Sequence, residues 1–538
     1  MKTIMRYWKI FIGVRPEYVF VGLATIFGVI LTFRMVPLFG NDEVVHFPRA
    51  YQVQEGRLWA EHLGGVDYGN YAPVQMKQFN DAYREQVQND ATDGDKIYIA
   101  KQRYAQERLT DSKREPLVFT SATLSAGWDY FPPAIGILAA RILHLPLNWF
   151  VYLGRLSTLA VYILLTYFAI KYIPIGKRFL LVVALLPTAL IQGATIGMDG
   201  LVNGLSWLII ALTFAALVKK RTSVERHISG QKLRSDASAP PLSSLLGKKV
   251  RALLLPARLV HQRTDGAPPL RYSFLAKTAP FYKSPVGIDV TPKLLALMAF
   301  LAVYLATTKQ GYAPIAMLPL LLPARLFPFQ LKKVWLWRLV FGGGLVVVSL
   351  WYLGATAHIA EVIHQIQRPG LHVDESEQLH HIFQNPLKFL SMIFIQPFTI
   401  WSGNIYAGIV GVVTNKLVKL PIPVMLLSYM ALLVTVFHRE RSHVNGRDRL
   451  YVLACSTGAF LATFTLINLA LYLSFTRVGY DHVEGLQGRY FLALLPLLGI
   501  ILHTAMPKLF LKISDGFMNL LAYPAIVIGL VTTTLLVF

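Results

Sequence analysis

Long apolar runs alternate with short polar breaks along almost the whole 538-residue chain, and most runs suffice to cross a bilayer as helix, which takes roughly 20 residues. The pattern predicts full spans at residues 18–37, 149–172, 179–196, 201–217, 294–308, 312–327, 335–355, 424–437, 451–475, 490–505 and 520–538. Two further apolar stretches are too short to span. Residues 131–145 open on Pro132-Pro133 and read as a helix lying in the interface or dipping partway, and 389–401 reads as another partial element. No internal repeat of the kind that marks many secondary transporters is present.

The expected fold class is all-α, a polytopic membrane bundle of about 11–13 transmembrane or partly embedded helices. Its first extracytoplasmic loop is large. The chain divides into an N-terminal membrane module, 1–218, which includes outer loop 40–130, and a basic cytoplasmic insert, 219–292. A C-terminal membrane module, 293–538, includes outer loop 356–386.

Composition agrees. The chain is 54% hydrophobic and 15% charged, with a mean hydropathy of +0.48, too little polar surface for a soluble protein of this size. The net charge of +23 reflects where the bases sit, not an affinity for nucleic acid. Lys219, Lys220, Arg221, Lys248, Lys249 and Arg251 all fall in the insert, and Arg439, Arg441, Arg447 and Arg449 flank a later segment. Bases beside spans follow the positive-inside pattern, and no basic groove or nucleic-acid-binding module appears. Fourteen of the 29 acids lie between Asp42 and Asp129, while Lys2, Arg6 and Lys9 precede the first span. The expected placement is therefore a multi-pass cell-membrane protein with a cytoplasmic N-terminus. No small-residue cleavage site follows the first apolar stretch, so it reads as an uncleaved span. The single cysteine, Cys455, allows no intrachain disulfide and leaves the redox compartment open.

On this topology Asp42, Glu43, His46, Arg155, Asp199, Lys309, Asp481, His482, Gln487 and Arg489 all face the outer leaflet. Carboxylates and guanidinium groups at one depth fit a site that handles a hydroxyl acceptor and a phosphate. Each has a plainer alternative. Asp42 reads equally as the N-cap of a helix starting at Glu43, and Asp199 as a cap of the span behind it. Arg155 lies inside an apolar helix, where it needs either a structural carboxylate or a ligand phosphate. Lys309 fits a helix-end lysine that snorkels. Arg489 sits in Gly485-Leu486-Gln487-Gly488-Arg489-Tyr490-Phe491, where glycines permit close backbone approach and arginine can grip phosphate through two donors. His358, Glu361, His364, His372, Asp374, Glu375, His380 and His381 crowd the second outer loop, but their spacing does not match the zinc-protease pattern. Solvated loop histidines explain them better.

The ordered set of motifs resembles a known family. A first span is followed by Asp42-Glu43-x-x-His46-Phe47, Arg49-Ala50-Tyr51-Gln52 and Glu55-Gly56. Then come Tyr130-Phe131-Pro132-Pro133 with Gly136, Leu186-Pro187 with Gln192 and Met198-Asp199, and Gln487-Gly488-Arg489-Tyr490-Phe491. This series resembles the bacterial membrane family catalogued as domain of unknown function twenty-one forty-two. That family is similar in plan to GT-C glycosyltransferases such as the protein mannosyltransferases and aminoarabinose transferases.

The resemblance implies a sugar donor on a polyprenyl phosphate, an active site at the outer membrane face and a catalytic acid in the first outer loop. By position, Asp42 or Glu43 is that acid, and Asp199 matches a second acidic site. His46, Arg155, Asp199, Lys309, Gln487, Arg489 and Tyr490 are the expected substrate-binding residues. Expected partners are the lipid-linked sugar, a glycan or lipid-linked acceptor, and membrane lipids. No cofactor is expected: a divalent metal is possible but not favoured, because no Asp-x-Asp pair accompanies Asp199. Alternative functions are a flippase or transporter of lipid-linked saccharide, or a polysaccharide polymerase.

Overall fold

The computed structural model describes residues 14–88, 94–110, 113–218, 287–367, 370–399, 403–414, 418–438, 446–506 and 515–537. Most of the basic insert, including Leu253-Leu254-Leu255 and Arg271-Tyr272-Ser273-Phe274, lies outside the described residues, as do the side chains of His358, Glu361 and His364.

Helix α1 (Pro16–Arg34) starts on a proline, which costs no hydrogen bond in a first turn, and leads to α2 (Glu43–Gln54). Strands β1 (Glu61–Gly64) and β2 (Asp67–Pro73) follow, then helices α3 (Val74–Gln88) and α4 (Gly94–Tyr104) and strand β3 (Arg114–Val118). The three strands form an antiparallel sheet in the order β1-β2-β3, with Glu61 opposite Gly69 and Asn70 opposite Leu117. The expected outer loop is thus a folded α/β layer. Its core is aromatic: Phe79 meets Phe47, Tyr83 and Tyr104 edge-on, with ring centroids 5.0–5.7 Å apart. Asn148 ties this layer to the bundle, accepting from Tyr83 Oη and donating to Lys101 O.

Next come α5 (Phe131–Ile142), α6 (Leu147–Tyr172), α7 (Lys177–Leu185), α8 (Pro187–Gly193), α9 (Asp199–Leu217), α10 (Pro292–Thr308) and α11 (Leu331–Gln367). The remaining helices are α12 (Glu375–Gln384), α13 (Pro386–Ile395), α14 (Gly403–Val410), α15 (Ile422–Val436), α16 (Gly446–Ser474), α17 (Leu495–Ala505) and α18 (Asp515–Leu536). A 3₁₀ turn at Gly488–Leu494 enters α17. Helix α6 packs against α1, α5 and α9, while α15 pairs with α18 and α16 with α17. Gly136 permits the α5–α6 approach, because a Cβ there would stand 2.0 Å from the carbonyl oxygen of Leu153.

Among the described residues, seven helices are long and apolar enough to cross a membrane, and Pro292–Thr308 and Ile422–Val436 are shorter apolar helices. The protein is an all-α multi-pass membrane bundle carrying two small sheets, the three-stranded one and an antiparallel pair of β4 (Val412–Thr414) with β5 (Val418–Lys419). Two expected spans are corrected. The apolar run at 179–196 is divided into α7 and α8 at Leu186–Pro187, because proline lacks the amide that would continue the helix. Residues 312–327 form only short turns, since Pro314, Pro319 and Pro323 repeatedly interrupt the hydrogen-bond ladder. Helix α11 also extends to Gln367, so His358, Glu361 and His364 lie on a helix, not in a loop.

Burial sorts the helices. The apolar window of α9 is wholly buried, as expected for a helix that is hydrophobic on every side. In α11 only 17% of the window is buried, and Leu336, Leu339, Val340, Val347 and Leu350 stand exposed where lipid would cover them. Helix α9 is therefore the bundle's centre, and its first residue is Asp199.

Candidate functional site

Four chain segments bring charge to one end of the bundle: the turn after α1, the start of α9, the end of α10 and the turn before α17. They enclose a cavity of about 70 Å³ lined by Asn41, Asp42, His46, Gln192, Asp199 and Lys309, together with Thr195, Gly197, Met198, Arg489 and Tyr490. At ~10–15 Å³ per water, this holds on the order of five waters or a small charged headgroup.

Arg489 organises the cavity. Its Nη2 donates to Asp42 Oδ2 at 2.6 Å, and its Nε lies 3.5 Å from Asp199 Oδ2. Lys309 Nζ donates to Asp199 Oδ1 at 2.5 Å. Asp199 Oδ2 also accepts from Gln192 Nε2 at 3.2 Å, and Gln192 is held by Asn203 Nδ2 at 2.8 Å. The ring of Tyr490 lies 5.4 Å from both the Lys309 ammonium and the Arg489 guanidinium, within cation–π range. Two acids and two bases alternate along one connected row. Its outer member, Asp42, is 53% exposed, whereas the Arg489 side chain is 9% exposed.

Local backbone explains how these groups arrive. Asp42 precedes α2 with φ 56° and ψ 15°, a left-handed conformation that costs a non-glycine residue about 1–2 kcal/mol. Its side chain makes no capping hydrogen bond to α2. Arg489 is delivered by Gly488, where a Cβ would stand 1.8 Å from the Ile405 carbonyl oxygen of the neighbouring α14. Only glycine lets that turn lie flat against α14.

The expected site is corrected at Glu43 and Arg155. Both are fully buried and bind each other. Arg155 donates Nε to Glu43 Oε1 at 2.8 Å and Nη2 to Oε2 at 2.5 Å. Its remaining donors reach the carbonyls of Thr32, Met35 and Val36 at the end of α1. Glu43 also accepts from the amides of Gly40 and Ile196. A buried arginine needs just such an array of partners, and this knot fixes the turn that carries Asp42 instead of lining the cavity. Gln487 neighbours the Arg489 turn without lining the cavity. Asp481 and His482 pair with each other outside it.

Sequence reasoning missed Asn41, Gln192, Thr195, Tyr130 and Asp129. His46 Nδ1 meets Tyr130 Oη at 2.7 Å, and the Tyr130 hydroxyl lies 3.3 Å from the Ala122 carbonyl. The adjacent Asp129 accepts from Thr308 Oγ1 at 2.8 Å, next to Lys309, and its other oxygen is buried without a partner. Burial pushes its carboxyl up to about 7, against the Thr308 hydrogen bond. A signal was present, since Tyr130 and Gln192 belong to the motif series, but neither carries charge.

Partial desolvation at the cavity wall raises the half-exposed Asp42, yet the Arg489 guanidinium and then His46 outweigh it and hold the carboxyl below its usual range. Burial draws His46 below its usual range despite the nearby Asp42 and Asp199 carboxylates. Among the described residues no three His, Cys, Asp or Glu side chains are grouped as metal ligands. In the segment expected to be the second outer loop, His372 pairs with Glu377 and His380 with Gln384, both pairs exposed.

The family model described as Predicted membrane protein (DUF2142) matches residues 25–230 and 277–498. No curated protein and no solved structure matches the chain. The first matched region contains Asp42 and Asp199 and the second Lys309 and Arg489, so both halves of the charged row fall inside it, and the chain belongs to the DUF2142 family of predicted membrane proteins.

Proposed function

We propose that the protein is a membrane glycosyltransferase that moves a sugar from a polyprenyl-phosphate donor to a cell-surface glycan or other acceptor at the outer membrane face. The observation that carries this reading is the row Asp42–Arg489–Asp199–Lys309 at one end of an apolar bundle. Its formal charges cancel, so the cations are already held in place, and a donor phosphate oxygen can take a carboxylate's position on Arg489. Arg489 and Lys309 then face the bond that breaks and stabilise charge developing on the leaving phosphate. Asp42, the most exposed member, receives the acceptor hydroxyl as a hydrogen-bond acceptor. The lipid tail lies along the apolar spans, which gives this chemistry its need for a membrane protein.

Labelled polyprenyl-phosphate sugars incubated with membranes holding the protein test this reading. Transfer by the wild type and its loss in correctly inserted Asp42→Asn and Arg489→Ala variants are expected. Full activity in both variants rules the reading out.

A further inference from the structure

Resting on that reading, we propose that His46 is the general base, taking the acceptor's proton on Nε2, and that Tyr130 is its positioning residue.

The argument begins with hydrogen-bond direction. A tyrosine hydroxyl has one proton to give, and the Ala122 carbonyl at 3.3 Å, beside the Ser125 side chain that also bonds the hydroxyl, is an acceptor for it. With that proton assigned to Ala122, the oxygen accepts from His46 and Nδ1 carries the ring proton at 2.7 Å. That leaves the Nε2 lone pair free. The Cδ2–Nε2 edge of the ring faces Gly197, where a Cβ would stand 3.6 Å from Cδ2, and His46 and Gly197 both line the cavity. A neutral imidazole thus presents its basic nitrogen to the space that an acceptor would enter. Asp42 stands one helical turn away, its carbonyl accepting from the His46 amide, but its carboxylate is engaged by Arg489. An acid tied to a guanidinium is a weak base, and a neutral imidazole with its lone pair turned to the cavity is a suitable one.

The charges balance. The acceptor O–H bond breaks and its proton moves to Nε2, while the oxygen lone pair forms the bond to the anomeric carbon. The bond from that carbon to the phosphate oxygen breaks, and its electron pair stays on phosphate beside Arg489 and Lys309. The new imidazolium offsets the charge gained by the leaving phosphate. The charged and titratable groups facing His46 are Asp42, Asp199, Lys309, Arg489 and Tyr130.

The test is single-turnover transfer from a labelled polyprenyl-phosphate sugar to its acceptor across about pH 5–9, which brackets the titration of histidine. Wild-type transfer should fall on the acid side as His46 protonates. His46→Gln and His46→Ala should lose about 10²–10⁴-fold in rate, keep donor binding as read by retention of the labelled lipid, and lose the acid limb. Added imidazole should partly restore His46→Ala, which a misfolded protein would not show. Tyr130→Phe should shift the acid limb and lower kcat with KM unchanged. Retention of the wild-type rate and acid limb by His46→Gln overturns the assignment. If the wild type transfers nothing from any such donor, the transferase reading falls and this assignment with it.

Discussion

Arg489 and Asp42 lie 447 residues apart in sequence and 2.6 Å apart in space. Their pairing closes the bundle's charged end, because Arg489 also approaches Asp199 and Asp199 holds Lys309. The two acids are not equivalent. Asp42 is half exposed and bonds the guanidinium tip, whereas Asp199 is mostly covered and has three polar neighbours.

Asp42→Asn should separate function from stability. Asparagine tolerates the left-handed backbone that aspartate adopts here, and Arg489 keeps Asp199. We expect thermal stability within about 1 kcal/mol of wild type, read from the unfolding midpoint, together with loss of sugar transfer. Asp199→Asn should be costlier, since it leaves both Lys309 and Arg489 short of a counter-charge.

Glu43 and Arg155 should behave as one unit. Removing either, by Glu43→Gln or Arg155→Met, strands a fully buried partner and should cost about 3–5 kcal/mol. The double variant should cost clearly less than the sum, and a double-mutant cycle on detergent-solubilised protein measures the difference. Strict additivity would show that the pair is not coupled.

Asp129 sets a pH dependence. Burial raises its folded-state value to about 7 from an ordinary 3.8, so the folded protein binds this proton more tightly than the unfolded chain does. Stability from this group is present below pH ~4, declines as pH rises, and is lost above about 7. The span corresponds to about 4 kcal/mol at most. Asp129→Asn should flatten that decline and raise the unfolding midpoint at pH 8 more than at pH 5.

Gly488→Ala should strike the site through the backbone. The new methyl would meet the Ile405 carbonyl and the Ile409 amide, neither of which can rotate away. We expect a loss of about 1–3 kcal/mol and a larger loss of donor binding than of fold, measured by lipid retention against unfolding midpoint. Gly343, with nothing near its Cβ position, is the control at which alanine should be tolerated.

Much of the architecture was legible in the chain, though unevenly. Runs such as Pro16–Arg34 and Leu147–Tyr172 announce themselves because apolar length alone decides whether a helix can span. Residues 312–327 were misread because hydropathy does not register that Pro314, Pro319 and Pro323 deny the helix its amides. The sheet was missed because its strands are short and mostly polar, and their stability comes from pairing across β1, β2 and β3.

The sequence by itself determined the bundle, the polar interruptions and the identity of charged residues at span ends, since insertion into lipid depends on local composition. Only the tertiary structure decided which of those charges meet. Glu43 and Asp42 are adjacent in the chain, yet one is sealed against Arg155 and the other opens toward Arg489. A single left-handed residue turns them apart, and ion pairing between distant segments fixes the result, because a charge at a dry helix end is stable only where its partner has been brought within reach.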